Sequence, residues 1–390
     1  MLDDFKSIFS PFDKNRIDVS GYPHKRDLLI HQVRFLDSQT TVSEIETFDI
    51  AILGIPEDRN SRFNKGTANA PDYIRSELYK LYKPGKSKII DLGNLIIGKT
   101  IKDTYLVVSE ILLSLLKNET AVILLGGSND LMIPVTTAYR NGNKSFTLCS
   151  VEPRISFDNE EIPSSETYLS EIFSHNKKLF HFINLGYQSY YNSPDVIKVV
   201  GDKYEAVRLG ISSGDITINE PLIRDSDIVG INIESVRQCD APGTGRPSIN
   251  GFYGEDICQL ARYAGISEKV STFCLFNVNP EKDDQNRTSA LSAQIVWYFI
   301  NSYNERKNEF PGTASRKFQK FIVNIEGVND GIVFYKSPKT QRWWVEINYV
   351  VNNDERKRLI SCTQEDYQKA SKNEIPERWW KFYQKFNKMK

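Results

Sequence analysis

Short apolar segments alternate with amphipathic segments from about residue 47 to residue 304, and this alternation limits the fold more than any other feature of the chain. Repeated strand–helix units predict a mainly parallel sheet that helices cover on both faces. The predicted strands are 48–54, 87–92, 121–125, 145–151, 179–185, 204–209, 227–234 and 270–276, and the predicted helices are 71–82, 103–116, 129–139, 167–174, 194–200, 252–264 and 287–303. We therefore predict a three-layer α/β/α domain with about eight parallel strands.

The pattern changes after a polar, turn-rich segment near residues 305–316. Beyond it, alternating segments at 321–325, 331–335 and 342–350 predict antiparallel strands, and the segments 363–371 and 376–388 predict two closing helices. The sequence thus predicts four regions. They are an amino-terminal extension over 1–46, an α/β domain over 47–304, a linker over 305–316 and a carboxyl-terminal α+β extension over 317–390.

Four of the five tryptophans lie in this last extension, as the pairs Trp343–Trp344 and Trp379–Trp380. Tryptophans of a small subdomain are most often core anchors. Adjacent residues of a strand or helix face different ways, however, so one member of each pair can reach the surface and contribute to a protein interface. We keep all four as interface candidates.

Charge and cysteine content exclude several classes of protein. The 50 basic and 50 acidic side chains cancel, so no global field favours nucleic acid or an anionic membrane. No apolar run approaches the ~18 residues that a membrane helix needs, and the amino terminus has acidic residues where a signal peptide has basic ones. The five cysteines lack CxxC spacing, which suits a reducing compartment. We expect a cytoplasmic protein that neither binds nucleic acid nor inserts directly into a membrane.

Two polar residues, Asn232 and Glu234, interrupt the apolar pattern near the end of the predicted strand 227–234. The ends of parallel strands are where open α/β sheets build their sites, so these residues are either ligands or replacements for ligands. The loop that follows, DAPGTGRP, contains Asp240 and Thr244. These two residues either contact a ligand or belong to a turn that proline and glycine preserve for folding.

Four blocks, in this order, resemble the arginase–agmatinase–formiminoglutamase family of ureohydrolases. The blocks are AILGIPEDRNSRFNKGTANAPDYIR from residue 51, LLGGSND from 124, SVEPRISF from 150 and INIESVRQCDAPGTGRP from 231. Shorter similarities, SSET from 164 and NLGYQ from 184, indicate the formiminoglutamase branch. The resemblance implies the arginase-like fold and oligomer formation. Members of that family use a carboxylate-bridged manganese pair. The pair ionises a water molecule, which then attacks a guanidinium or formimino carbon.

The family's metal-ligand positions carry unusual residues in this chain. The resemblance places Asn129 at a histidine of the second block, and Glu152, Arg154 and Ser156 at the carboxylate–histidine–carboxylate trio of the third block. It places Asn232 and Glu234 at two aspartates of the fourth block, and Asn277 at a glutamate that recognises the substrate. Asp130, the neighbour of Asn129, could reach a metal, but we expect it to be exposed or to cap the following helix.

Arg154 decides how these positions are interpreted. A guanidinium is always charged and has no lone pair for a metal. We therefore expect the manganese pair to be absent, no other cofactor to replace it, and Arg154 to pair with Glu152 or Glu234, since a buried cation requires compensation. This cluster is either a structural ion-pair network, which we favour, or a new acid/base or ligand site.

The sequence therefore predicts a catalytically inactive relative, a pseudoenzyme, that acts as a binding, scaffold or regulatory component. A protein partner or a homo-oligomer is expected, and a small-molecule ligand is compatible with the pocket. One alternative is an active formiminoglutamase-like C–N (amidine) hydrolase that uses Glu152, Glu234 and Asp130 with an atypical metal site. The other is a small-molecule sensor, in which Glu152 and Glu234 bind a cation or Arg154 binds an anion.

Overall fold

The computed structural model describes residues 5–158, 164–314, 317–328, 331–351 and 354–387. The chain divides into two compact units, Met1–Glu305 and Arg306–Lys390, and each unit contains a sheet of its own. Within the described ranges, none of the helices combines the length and the apolar character that crossing a bilayer requires.

The first unit is built on a ten-stranded sheet whose strands are parallel except for one pairing, β1 with β4. The strands are β1 (Phe9–Ser10), β2 (Arg34–Phe35), β3 (Ile50–Gly54), β4 (Ile89–Leu95), β5 (Ala121–Leu125), β6 (Phe146–Val151), β7 (Leu179–Tyr187), β8 (Glu205–Arg208), β9 (Ile228–Asn232) and β10 (Thr272–Phe276). Across the sheet the order is β1-β4-β3-β5-β10-β9-β6-β7-β8, with β2 beside β4. All eight predicted strands are present. The two additional strands, β1 and β2, come from the region predicted as an amino-terminal extension.

Alternate side chains of each strand enter two separate cores, one on each face of the sheet. On β3, for example, Ile50 and Ile52 belong to one core, whereas Ala51 and Leu53 belong to the other. Helices α2, α8, α9 and α10 bury residues in the first core, and α3, α4, α5 and α6 bury residues in the second. This arrangement confirms the predicted three-layer α/β/α fold, because parallel strands need apolar cover on both faces.

The helices of the first unit are α1 (Val42–Ile45), α2 (Ala70–Leu78), α3 (Ile101–Lys117), α4 (Met132–Asn141), α5 (Tyr168–His175), α6 (Pro194–Lys203), α7 (Leu209–Ser212), α8 (Asn219–Arg224), α9 (Gly254–Ile266) and α10 (Arg287–Tyr303). Helix α3 begins at a reciprocal cap: Thr100 Oγ1 accepts the backbone N–H of Asp103, and the Asp103 carboxylate accepts that of Thr100. The short helices α7 and α8 have no counterpart in the predicted elements.

The second unit is a four-stranded antiparallel sheet in the order β11-β12-β13-β14, accompanied by three helices. Its elements are α11 (Pro311–Ala314), β11 (Gln319–Val323), β12 (Ile332–Lys336), β13 (Trp343–Val351), β14 (Asp354–Cys362), α12 (Gln364–Ser371) and α13 (Glu377–Asn387). Strand β14 was not predicted from the sequence. Its first half, DERKR, is charged, is exposed over its first four residues and shows no apolar alternation. Its pairing with β13 along the full length of both strands supplies the stabilisation instead.

Burial changes the interpretation of the tryptophan pairs. Trp343, Trp344 and Trp379 are buried. The Trp343 ring stacks on Tyr367 at 4.8 Å between centroids, and Trp379 Nε1 donates to the carbonyl of Glu346 at 3.1 Å. These three side chains are therefore core anchors of the second unit. Of the four interface candidates, Trp380 alone keeps an exposed side chain, at 43%.

A buried ion pair joins α2 to β4 in the first unit. Arg75 is fully buried and donates to both carboxylate oxygens of Asp91, at 2.8 and 2.9 Å. Arg75 also donates to Asn94 Oδ1 at 2.6 Å, and the hydroxyl of Tyr79 donates to Asp91. Protein groups therefore compensate both buried charges without solvent.

We expect Arg75→Met to lower the free energy of unfolding by about 3–5 kcal/mol, because Asp91 would keep a buried charge without its counter-charge. Urea denaturation followed by circular dichroism measures this loss. The control is Lys80→Met, which removes the partly exposed Lys80–Glu77 pair at 3.0 Å and should cost less than about 1 kcal/mol. Equal losses in the two variants would contradict the assigned role of Arg75.

Candidate functional site

Four neighbouring strands of the large sheet bring polar residues to one edge. Strands β5, β10, β9 and β6 lie side by side in this order and are all parallel. Just past their carboxyl ends, or at the last residue, stand Asn129, Asn277, Asn232 and Glu152, respectively. The structure thus brings together residues of the second, third and fourth sequence blocks, as the parallel fold predicts.

The two amides of β9 and β10 bind each other. Asn277 Nδ2 donates to Asn232 Oδ1 at 3.2 Å, and the same oxygen accepts the backbone N–H of Glu234 at 2.9 Å. The second bond ends β9 two residues earlier than predicted and folds Ile233–Ser235 into a 3-10 turn. Asn277 has a φ of +66°, a left-handed conformation that asparagine tolerates better than most residues.

Glu152 is completely buried and is held by neutral groups. Its Oε1 accepts the Tyr168 hydroxyl at 2.9 Å, and its Oε2 accepts Asn129 Nδ2 at 3.2 Å and the Ser156 hydroxyl at 3.3 Å. Burial raises the pKa of Glu152 to about 8, although these hydroxyl donors act in the opposite direction. The carboxyl group is therefore largely protonated at pH 7.

Glu234 is also buried, but its partners are cationic. Arg154 Nη1 lies 3.5 Å from its Oε2, and Arg246 Nη2 lies 3.8 Å from the same oxygen. Its Oε1 accepts the hydroxyl of Thr244 and the backbone N–H of Arg246, each at 3.2 Å. Burial raises the pKa of Glu234, whereas the charges of Arg246 and Arg154 oppose that rise. Of the two partners expected for Arg154, the structure selects Glu234.

Aromatic rings cover both guanidinium groups. The Arg154 guanidinium carbon lies 3.9 Å from the ring centre of Tyr191, and that of Arg246 lies 4.8 Å from the ring centre of Phe63. Such stacking suits arginine because its planar charge is weakly hydrated. Arg246 also forms an ion pair with Glu166. Two guanidinium groups and two carboxylates thus form one mixed cluster, which we call the Glu234 cluster (Arg154, Glu166, Glu234 and Arg246).

The expectation that Asp130 is exposed or caps a helix is wrong. Asp130 is buried in the turn Asn129–Leu131, and its carboxylate accepts the hydroxyls of Ser128 and Tyr105. Burial raises its pKa, against the effect of these two donors. Asp240 stabilises the loop that follows β9. Its carboxylate pairs with Arg237 at 2.8 Å and accepts the backbone N–H of Gly254 at 3.0 Å.

Sequence reasoning did not single out four residues that complete the site: Glu166, Tyr168, Tyr191 and Arg246. Arg246 and Glu166 lie inside the quoted loop DAPGTGRP and the quoted segment SSET. One signal was available for them, because a buried guanidinium beside a glutamate usually belongs to a larger set of compensating charges. No local pattern could have shown that the tyrosines contact Arg154 and Glu152.

A family model described as the arginase family matches residues 48–301. The chain belongs to the arginase family. It is 22% identical over 288 residues to a formimidoylglutamase of Staphylococcus haemolyticus, which covers 69% of this chain and 91% of the relative. It is 23% identical over 298 residues to a formimidoylglutamase of Staphylococcus aureus strain MRSA252, with 73% and 94% covered.

Solved structures agree on the fold. The formimidoylglutamase of Bacillus subtilis superposes with a TM-score of 0.65 at 18% identity, covering 74% of this chain and 97% of that chain. The Trypanosoma cruzi formiminoglutamase solved with Mn²⁺ gives 0.63 at 17% identity, covering 67% and 95%. These similarities confirm the predicted family, its formiminoglutamase branch and the arginase-like fold.

The side chains at the strand ends do not fit a carboxylate-bridged manganese pair. Such a pair needs several hard oxygen and imidazole ligands that converge. Over the part of the chain that the structure describes, no three His, Cys, Asp or Glu side chains converge to hold a metal ion. Arg154 contacts Glu234, and Glu152 is surrounded by hydrogen-bond donors. The absence of the manganese pair stays a prediction, to be decided by metal analysis.

We expect the free energy of unfolding to fall as the pH rises from about 5 to about 8. The pKa of Glu152 is about 8 in the folded chain and near 4.5 when unfolded, so the folded state holds the extra proton between these values. Because the folded state binds this extra proton, each pH unit in this range lowers the free energy of unfolding by no more than about 1.4 kcal/mol. Urea denaturation at a series of pH values measures the slope.

In Glu152→Gln this slope should become smaller, because glutamine does not titrate. The upward pKa shifts of Glu234 and Asp130 leave a residual slope of the same sign. Glu110→Gln, on an exposed position of α3, is the matched control and should retain the wild-type slope. An unchanged slope in Glu152→Gln would show that this carboxyl is ionised in the folded protein.

Proposed function

We propose that this arginase-family chain is a non-hydrolytic binding protein, which acts as a scaffold or regulatory component through its remodelled strand-end site or its second unit. The observation that carries the proposal is the contact between Arg154 and Glu234 at the site edge. Burial and the neighbouring Arg246 lower the pKa of Arg154, but a guanidinium keeps its proton at neutral pH.

The arrangement of the two glutamates supports the same proposal. Metal-assisted hydrolysis needs anionic ligands that gather cations and lower the pKa of a bound water. Glu152, whose pKa is raised by burial, accepts three hydrogen bonds, and Glu234 is engaged by Thr244 and two arginines. Both side chains are thus already engaged by protein groups, which supports a role other than holding a metal pair.

Several buried polar atoms of the site have no protein hydrogen-bond partner, which is compatible with a bound small molecule. Among the described residues they include Arg154 Nη1, Arg246 Nε and the Oδ1 atoms of Asn129, Asn184 and Asn277. Unsatisfied buried groups are costly, and a polar ligand or ordered water would satisfy them. The site therefore offers both donors and acceptors to a small molecule.

Metal analysis combined with an activity assay tests the proposal. The protein is purified from manganese-supplemented medium, its metal content is measured by mass spectrometry, and formamide release from N-formimino-L-glutamate is followed. We expect well under one manganese per chain and no turnover above background. The formimidoylglutamase of Bacillus subtilis, assayed in parallel, is the positive control. Stoichiometric manganese together with turnover would overturn the proposal.

The alternative is an active amidine hydrolase with an atypical metal site. Membership of the arginase family and similarity to formimidoylglutamases over most of the chain support it. It would use Glu152 and Glu234, which extend from the neighbouring strands β6 and β9. Asp130, the third candidate, is bound by Tyr105 and Ser128 instead. The metal and turnover measurements above decide between the two functions.

A sensor version of the proposal makes a separate prediction. If Arg154 binds an anion, an anion such as glutamate should raise the unfolding temperature of the wild-type protein, and Arg154→Ala should abolish that rise. Arg140→Ala, on α4, is the control, because Arg140 is exposed and contacts the carbonyl of His175 instead. A thermal shift that is the same in Arg154→Ala and wild type would rule this version out. A protein partner and a homo-oligomer remain proposals of equal standing.

A further inference from the structure

A second cleft of about 650 Å³ lies at the same edge of the large sheet, separate from the Glu234 cluster. Its wall includes Gln188, just past the end of β7, and Arg208, the last residue of β8. Residues of the loop that follows β9 complete it. The volume is within the range of about 300–1,000 Å³ that is usual for small-molecule sites.

Four large side chains of this cleft expose apolar surface to solvent. Ile249 and Tyr190 are 82% and 62% exposed, and Ile211 and Tyr253 are exposed as well. Single exposed apolar side chains are common, but four large ones around one depression indicate a contact surface for an apolar body. A ligand that covered them would remove this apolar area from water.

One positive charge of the cleft is available to a ligand. Arg237 is already compensated, because it pairs with Asp240 at 2.8 Å and stacks on Tyr253 at 3.9 Å. Arg208, in contrast, is exposed and has no ion pair or hydrogen bond from its side chain to any residue that the structure describes. A guanidinium in this state favours a carboxylate, which it can bind through two parallel hydrogen bonds.

We propose that this cleft is a binding site for a small organic anion with an apolar body, such as an aryl or branched-chain carboxylate. Arg208 binds the carboxylate, and the side chains of Tyr190, Ile211 and Ile249 cover the apolar part. The site uses no residue of the Glu234 cluster. Whether that cluster binds a metal therefore does not affect the proposal.

The chain carries its own reporter for this site. Cys239 lines the cleft and is exposed, whereas Cys149, Cys258, Cys274 and Cys362 are buried. Alkylation of the native protein by iodoacetamide, followed by peptide mass spectrometry, therefore measures access to Cys239. With 2-naphthoate as the probe, we expect labelling to slow in a saturable manner, which yields a dissociation constant.

The charge and the apolar wall are tested separately. Arg208→Gln should weaken protection by 2-naphthoate about tenfold or more, since the charge-assisted bond is lost, and the neutral 2-naphthamide should protect the wild type equally poorly. Ile249→Ser should weaken the binding of 2-naphthoate, because part of the apolar contact is lost. Both residues are exposed, so neither change should alter the unfolding midpoint. Arg26→Gln, at an exposed position outside the cleft, is the matched control. In this variant 2-naphthoate should protect Cys239 as well as it does in the wild type.

Two results would overturn the proposal. One is labelling of Cys239 at the same rate with and without millimolar 2-naphthoate. The other is equal protection in wild type and Arg208→Gln, which would show that the anion is not bound by this guanidinium.

Discussion

The parallel order of β5, β10, β9 and β6 is the constraint on which the rest of the site depends. These strands are buried on both faces, so the polar side chains of the site stand at or just past their carboxyl ends. Two buried glutamates, Glu152 and Glu234, therefore meet at one edge together with three asparagines. Their charges have to be neutralised by protonation or compensated by other residues at the same edge.

The environments of Glu152 and Glu234 differ. Burial raises the pKa of Glu152, which accepts hydrogen bonds from an amide and two hydroxyls. Glu234 is compensated by Arg154 and Arg246, and Glu166 balances the second guanidinium. Over the described residues, no three His, Cys, Asp or Glu side chains come together to hold a metal ion.

The three-residue turn Ser189–Tyr191 stands between the two candidate sites. Tyr190 lines the cleft that contains Arg208, whereas the ring of the adjacent Tyr191 covers the guanidinium of Arg154. The two rings contact each other edge to face, with centroids 4.6 Å apart. One short segment after β7 thus contributes to both surfaces. This position follows from the general rule that loops at the carboxyl ends of parallel strands carry binding residues.

The sequence by itself predicted the eight central strands of the large sheet, because runs such as Ala121–Leu125 are apolar over their full length. Its family resemblance predicts that Arg154 stands at a metal-ligand position. Tertiary structure decided which glutamate Arg154 contacts, that Asp130 is buried, and that Arg246 and Glu166 complete the cluster. It also decided that the charged segment Asp354–Cys362 is a strand. The physical reason is the same in each case. Apolar periodicity is local and can be seen in the chain, whereas the partner of a charge, or of an exposed strand, depends on which segments the sheet order brings together.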